Sequence, residues 1–383
     1  MLTKYKLGDL IKMSNGRKRP VDDGLYPIYG GNGVLGYADS YNDENVIVVG
    51  RVGAFCGIIH QCKGKCWISD NAISIHSTEK IDQNFLFYLL RSLNLNKKHI
   101  GCAQPLMTQE IINENDVFIP SIDKQIEIAA ILSDIDKKIA LNTRMNAELE
   151  TMAKQLYDYW FVQFDFPDEN GDPYKSSGGK MVYNSTLKRE IPAGWEVKNL
   201  GDLSKTPKES ITPFETPDRV FKHFSIPAYD ACGSYSLEKG DEIQSNKFIV
   251  HNGQILAPKL NPWYNRIVMV NSNDNAICST EYVILEPKED NLRGYIYYTV
   301  KTDAFIAFCT KGSTGTSHSQ RRVPPEILRG FKIPFNADVV SNYTKFVMPQ
   351  IQLLNRNLEQ KRQLSNLRDS LLPMLMNGQV TVE

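Results

Sequence analysis

The chain has 383 residues, 44 Lys+Arg against 44 Asp+Glu, and a hydrophobic content of 42% with 23% charged residues. That length holds two cores of ordinary domain size, and a net charge of zero excludes binding of a polyanion through the overall field alone. No apolar run approaches the roughly 20 residues that span a bilayer, and the first six residues lack a secretory signal's apolar core, so a cytoplasmic protein is expected.

The chain is written twice. Lys6-Leu7-Gly8-Asp9-Leu10 opens a mixed segment that closes on Val117-Phe118-Ile119-Pro120, and Asn199-Leu200-Gly201-Asp202-Leu203 opens another that closes on Phe331-Lys332-Ile333-Pro334. The opening motifs lie 193 residues apart and the closing ones 214, so the second copy carries about 21 more residues, which belong in surface loops. A period this long means two domains rather than a solenoid.

In the first copy, residues 45–53 and 66–75 read as strands and Phe85 to Leu90 as a buried helix, an α+β pattern. Residues 253–259, Tyr282 to Leu285 and Gly294 to Tyr298 replay that order in the second copy. The seven cysteines are scattered and odd in number, against a disulfide framework. Cys56, Cys62 and Cys66 with His60 offer ligand types without paired zinc spacing; they read as small buried hydrophobes and a loop thiol, and no metal is expected.

Several loop groups have the chemistry to meet bases and phosphates. In the first copy they are Asn32, Arg51, Gln61, Lys63 and Lys65, then Lys98, His99, Gln104 and Gln109. In the second, one loop carries Lys259, Asn261, Trp263, Tyr264 and Arg266. Another carries Lys311, Ser313, Thr314, Ser317, His318, Gln320 and Arg321, followed by Arg322. Residues 1–120 hold 13 Lys+Arg against 12 Asp+Glu, so affinity must come from such local patches.

Three motifs point to catalysis or cofactors and fail on context. Gly31-Asn32-Gly33-Val34-Leu35-Gly36 fits the dinucleotide fingerprint, but no helix pattern follows. Asn261-Pro262-Trp263-Tyr264 resembles the Asn-Pro-Pro-Tyr signature of DNA amino-methyltransferases, with Trp in place of the second Pro and no glycine-rich methyl-donor site upstream. Asp168-Glu169-Asn170-Gly171-Asp172 lacks the remaining ligands of a calcium loop and reads as a linker turn. No catalytic residue is assigned.

Each copy runs into a helical pattern. Ile128, Leu132, Ile135, Ile139, Leu149 and Leu156 recur at spacings of four and three, with Asn142 and Asn146 on the same seam. A helix of 42 residues from Asp123, its candidate cap, to Phe164 is predicted, roughly 60 Å long. The second arm shows Ile351, Leu354 and Leu358, then Leu364, Leu367 and Leu371 after a gap of six that reads as a stammer; Pro373 is expected to kink or end it. Two such helices most simply pair antiparallel, with pairing to another copy as the competing arrangement; buried asparagines would select one alignment. The predicted layout is 1–120 and 194–336 for the repeats, 121–166 and 337–383 for the helices, and 167–193 for a linker.

The chain resembles the specificity subunits of type I restriction-modification systems over essentially its whole length. The resemblance rests on Tyr29 to Tyr37, on Ile119-Pro120-Ser121-Ile122-Asp123-Lys124-Gln125, on Trp160 to Pro167, on Ile191-Pro192-Ala193-Gly194-Trp195 and on Leu367 to Pro373. It implies two target-recognition domains, each reading one half of a split double-stranded DNA target, held apart by an antiparallel coiled coil that acts as a ruler. It implies no catalytic centre and no cofactor in this chain. Two modification subunits would bring S-adenosylmethionine and adenine methylation, and restriction subunits would bring ATP and Mg. The rivals are a self-sufficient methyltransferase using Asn261 to Tyr264 and a coiled-coil adaptor for proteins.

Overall fold

The computed structural model describes residues 2–21, 23–101, 105–315 and 320–380. It divides into two compact units, Met1–Ala140 with Gln363–Glu383, and Leu141–Arg362. Each unit therefore includes a stretch of both long helices, rather than the helices standing apart from the repeats.

In the first unit, Ile47–Gly50 is the strand on which packing turns. Ile47 and Val49 face the helix Gln83–Ser92 with Ile73 and Ile75, while Val46 and Val48 face Cys62, Cys66 and Ile68. All four side chains are buried, because the strand lies between two layers and an uninterrupted apolar run is what such a strand requires. The sheet order is Ile11–Asn15, Ala72–Ser77, Ile47–Gly50, Ile59–Gln61, antiparallel throughout. A second sheet runs Gly33–Ala38, Tyr26–Gly30, Lys65–Ile68, Asp43–Glu44, with a parallel pair that sets Ile28 beside Trp67. Asp82 starts the helix Gln83–Ser92 by accepting from the Asn84 and Phe85 amides at 2.9 and 2.8 Å. Thr3–Lys6 pairs with Asp116–Ile119 and ties the ends of the repeat together.

The second unit repeats this wiring. Its first sheet runs Ser204–Lys205, Tyr282–Pro287, Ile255–Pro258, Val268–Met269, and Ile255 and Ala257 face one core while Leu256 faces another. Its second sheet runs Ser236–Lys239, Val220–Phe224, Ala276–Cys278, Lys247–Ile249, again with one parallel pair, and gains an edge strand, Ser210–Ile211. Glu196–Asn199 with Lys332–Phe335 is the closing pair. The duplication thus extends to both sheets. The two-residue turn between Gly30 and Gly33 is replaced by 11 residues between Phe224 and Ser236, which accounts for nine of the additional residues.

The first long helix is Ile122–Tyr157, 36 residues, followed by a π-helical turn, Asp158–Val162. It is shorter than the expected Asp123–Phe164, and Asp123 lies inside its first turn, where a carboxylate complements the helix dipole, rather than capping it. The wider turn lets Tyr157 and Phe161 enter one aromatic core with Tyr295 and Tyr343, and Phe164, at φ 66°, ends the run against Trp195. Residues 167–193 are not a plain linker. They form the hairpin Met181–Asn184 and Arg189–Pro192, and Arg189 donates to the Phe161 carbonyl at 3.2 Å while lying over the Phe164 ring. Asp168 accepts from the Asn170 and Asp172 amides and closes its own turn.

Within each unit the two helices run antiparallel. In the second unit Asn142 donates to Gln360 at 2.9 Å, Asn146 donates to the Leu354 carbonyl at 3.2 Å, and Asn357 donates to Asn146 at 2.9 Å. Asn142 and Asn357 are buried, at 1% and 5% exposure, so their side-chain amides are satisfied across the seam rather than by water. Leu149 and Leu156 are half-buried on the same helix, and Ile351 and Leu354 are buried opposite. In the first unit Ile128, Leu132 and Ile135 are buried, Ile139 half-buried, and Asp136 accepts from Tyr88 at 2.8 Å and Arg368 at 2.7 Å.

The second helix, Ala337–Met376, corrects the expected seam. Leu367 is 47% exposed, and Leu364 and Leu371 are only half-buried, whereas Leu372 and Leu375 are buried. Spacings of four and three carry on from Ile351 and Leu354 through Leu358, Lys361, Ser365 and Arg368 to Leu372 and Leu375, so there is no stammer. Polar side chains occupy the middle of the heptad track, and apolar neighbours one residue away mimicked a shifted register. Pro373 does not end the helix, which continues to Met376.

The seam makes a direct prediction. Leu132→Ala should destabilise its unit by about 2–5 kcal/mol, while Leu367→Ala should change stability by less than about 0.5 kcal/mol. Denaturant unfolding of the two variants checks this, and the shifted register expected from sequence would reverse the sensitivity at Leu367.

Candidate nucleic-acid interface

In the first unit the glycine motif is a strand, a turn and a strand, with Asn32 exposed at the turn and Gly33 at φ 85°. A dinucleotide fingerprint needs a helix after the turn, and here there is none. The His60 ring bonds the Gly31 carbonyl at 3.1 Å, tying this turn to the strand Ile59–Gln61. Beside it lies a groove of about 510 Å³, lined in part by Tyr29, His60, Gln61, Lys63, Phe87 and Asp136. Gln61 donates to Asn84 at 3.1 Å, Lys63 is exposed, and Lys65 lies 4.5 Å from the Tyr41 ring centre.

A second group forms around Arg51. Its carbonyl accepts the Met107 amide at 2.8 Å and the Gly53 amide donates to the Pro105 carbonyl at 3.0 Å, holding residues 105–107 against the strand end. Lys98 donates to Asn115, His99 is exposed, and Gln109 donates to Asn15. Gln104 lies outside the described residues. Arg17, Lys18 and Arg19, outside the loop groups expected from sequence, are all exposed; the Arg17 amide donates to the Ile68 carbonyl and the Arg19 guanidinium to the Leu35 carbonyl, so the run crosses the second sheet. Three consecutive basic residues were the available signal.

The cysteine group has no metal geometry. Among the described residues no group of three or more His, Cys, Asp or Glu is placed to hold a metal ion. Burial pushes the Cys56, Cys62 and Cys66 thiols up, which keeps them protonated and uncharged, and burial beside Cys62 and Cys66 pushes the Tyr29 hydroxyl up to about 12.

In the second unit the two loops singled out in the sequence become one platform. The Asn261 amide donates to the Arg321 carbonyl at 2.8 Å, the Arg321 amide returns a bond to Asn261 Oδ1 at 3.2 Å, and the Val323 amide donates to Lys259 at 3.0 Å. Asn261 holds φ 49°, a left-handed conformation that brings both of its polar ends onto the same partner. Arg321 donates to the Ser313 carbonyl at 2.7 Å, and Arg322 pairs with Glu281 at 3.0 Å. Ser313 departs from expectation: it is 3% exposed, and its hydroxyl donates to the Thr310 carbonyl, so it presents no group outward. Lys311, Thr314 and Gln320 are exposed and Lys259 half-buried, while Ser317 and His318 lie outside the described residues. Trp263 and Tyr264 stand with ring centres 5.9 Å apart, and Arg266 is held by Asp230.

Comparison with known proteins bears on this geometry. The family described as type I restriction modification DNA specificity domain matches residues 2–151. The type I restriction enzyme EcoprrI specificity subunit of Escherichia coli is 33% identical over 136 residues, 35% of this chain and 34% of that protein, so the match spans about a third of its length. The MjaIX specificity subunit of Methanocaldococcus jannaschii is 26% identical over 326 residues, covering 78% of this chain and 69% of that one. The crystal structure of a type I restriction-modification S subunit from M. genitalium shares the fold, with a TM-score of 0.67 at 16% identity over 98% of this chain and 96% of that one. Among the described residues no helix is long and apolar enough to cross a membrane.

The stapled loops predict an order of tolerance at position 261. Asn261→Gly should keep the backbone turn, whereas Asn261→Ala should cost about 1–2 kcal/mol for a left-handed residue with a Cβ. Thermal unfolding of the two variants distinguishes them, and equal stability would show that the turn is not strained.

Proposed function

We propose that this chain is a specificity subunit of a type I restriction-modification system and reads a bipartite double-stranded DNA target, one half with each repeat. The observation that carries this reading is the shared order of four strands in each of the two sheets of both units, with one added edge strand in the second, combined with unlike loops at matching positions. A duplicated scaffold with divergent loops suits two half-sites of different sequence. Base discrimination would come from the loop groups described above, with exposed Lys63, Lys65, Lys311 and the Arg17-Lys18-Arg19 run supplying phosphate contacts.

The chain acts in this reading without chemistry of its own. Two modification subunits would bring S-adenosylmethionine and methylate adenine, and restriction subunits would add ATP and Mg. A self-sufficient methyltransferase fits less well, because the Asn261 side-chain oxygen already accepts the Arg321 amide and Pro262 is buried. A protein adaptor would show no sequence preference when challenged with a randomised duplex pool. Incubating purified chain with labelled methyl donor and DNA tests the first rival; methylation without any partner would overturn the noncatalytic reading.

The paired helices set the gap between half-sites. Inserting one heptad into each helix should lengthen the recognised spacer by at most about 3 base pairs, from roughly 10 Å of helix against 3.4 Å per base pair. Mapping methylated adenines in cells carrying the lengthened chain gives the spacer, and an unchanged gap counts against the helices as a ruler.

A further inference from the structure

The second repeat carries a helix, Ile226–Cys232, where the first has only the turn Gly31-Asn32. Ser225 starts it by accepting the Ala228 amide at 3.2 Å, and Gly233 ends it in the left-handed region at φ 76°. Both ends are terminated, so the insertion is a built element rather than slack in a connection.

What this helix touches is the aromatic loop. Tyr229 donates its hydroxyl to the Asn265 carbonyl at 3.1 Å, and Asp230 accepts Arg266 through both oxygens, at 2.7 and 2.8 Å. On the other side Asn265 donates to the Lys301 carbonyl at 3.1 Å. Arg266, its side chain 16% exposed, lies 4.3 Å from the Tyr264 ring centre, while Tyr264 is 51% exposed. A guanidinium engaged by a two-pronged carboxylate and laid on a ring cannot also offer its fork to a guanine edge or a phosphate. The group left facing outward is the Tyr264 ring, and the apolar feature it would meet on a major-groove edge is the methyl group of thymine.

We propose that the inserted helix is a brace that sets the base preference of the second repeat. Asp230 and Tyr229 are positioning residues, Arg266 is the backing of the Tyr264 ring rather than a DNA ligand, and Tyr264 meets the bases. This rests on the bipartite DNA reading above, and it removes Arg266 from the base-reading residues expected from sequence.

The test is sequence selection from a randomised duplex pool with the full-length chain and its Tyr264→Ala, Asp230→Asn and Arg266→Ala variants, together with salt titration of binding to the selected duplex. All three variants should relax preference at the same position of one half-site, by roughly 5- to 150-fold in discrimination, and leave the other half-site intact. In Asp230→Asn the released Arg266 becomes available to a phosphate, so the dependence of log affinity on log salt should steepen by about 0.9. A merely loosened loop would not produce that change. In Arg266→Ala the salt dependence should match the wild type.

Variants that select the wild-type motif, an Asp230→Asn salt dependence equal to the wild type, or an Arg266→Ala dependence shallower by about 0.9 would each overturn the brace. A wild-type chain that selects no sequence at all would overturn the underlying DNA reading and the brace with it. Two intact half-sites in the wild type beside unaffected variants would overturn the brace alone.

Discussion

Neither repeat closes its core without the long helices. Ile128 and Leu132 from one helix and Leu372, Leu375 and Met376 from the other complete the core of the first unit. In the second, Tyr157 and Phe161 meet Tyr343, Val347 and Ile351 around Tyr295. Because burial of these side chains is what makes each sheet stable, helix register and sheet packing are one constraint. A helix that slipped by a residue would withdraw buried side chains from a core as well as from the seam.

The polar groups on the seam sharpen that constraint. Asn142, Asn146, Asn357 and Gln360 bond one another in one alignment, and Asp136 draws Tyr88 and Arg368 onto the first helix. Shifting the register would leave buried amides and a carboxylate without partners, at a cost greater than the same groups gain when matched. Matched polar groups of this kind favour one register over its neighbours.

Much of this was legible in the sequence because it depends on apolar spacing and on repetition. The strand at Ile47, the helix at Phe85 and the seam at Ile128, Leu132 and Ile135 are all fixed by side chains that have nowhere to go but inward. The misreadings share a cause: the determining groups were polar or local. Lys361, Ser365 and Arg368 continue a heptad that a search for apolar residues cannot follow, so Leu364, Leu367 and Leu371 stood in for it. The hairpin at 181–192 is held by Arg189 on Phe161 and Phe164, a contact that no spacing announces. Ser313 and Arg266 have the side chains of DNA ligands, and only their partners, the Thr310 carbonyl and Asp230, show them to be occupied.

The central claim is that the two repeats read independently from one scaffold. Its most direct measurement is the motif selected by a full-length chain in which residues 259–266 are replaced by a Gly/Ser loop of equal length. The account predicts loss of preference in one half-site, with the other half-site and the gap between them unchanged. Loss of both halves together, or retention of both, would contradict it.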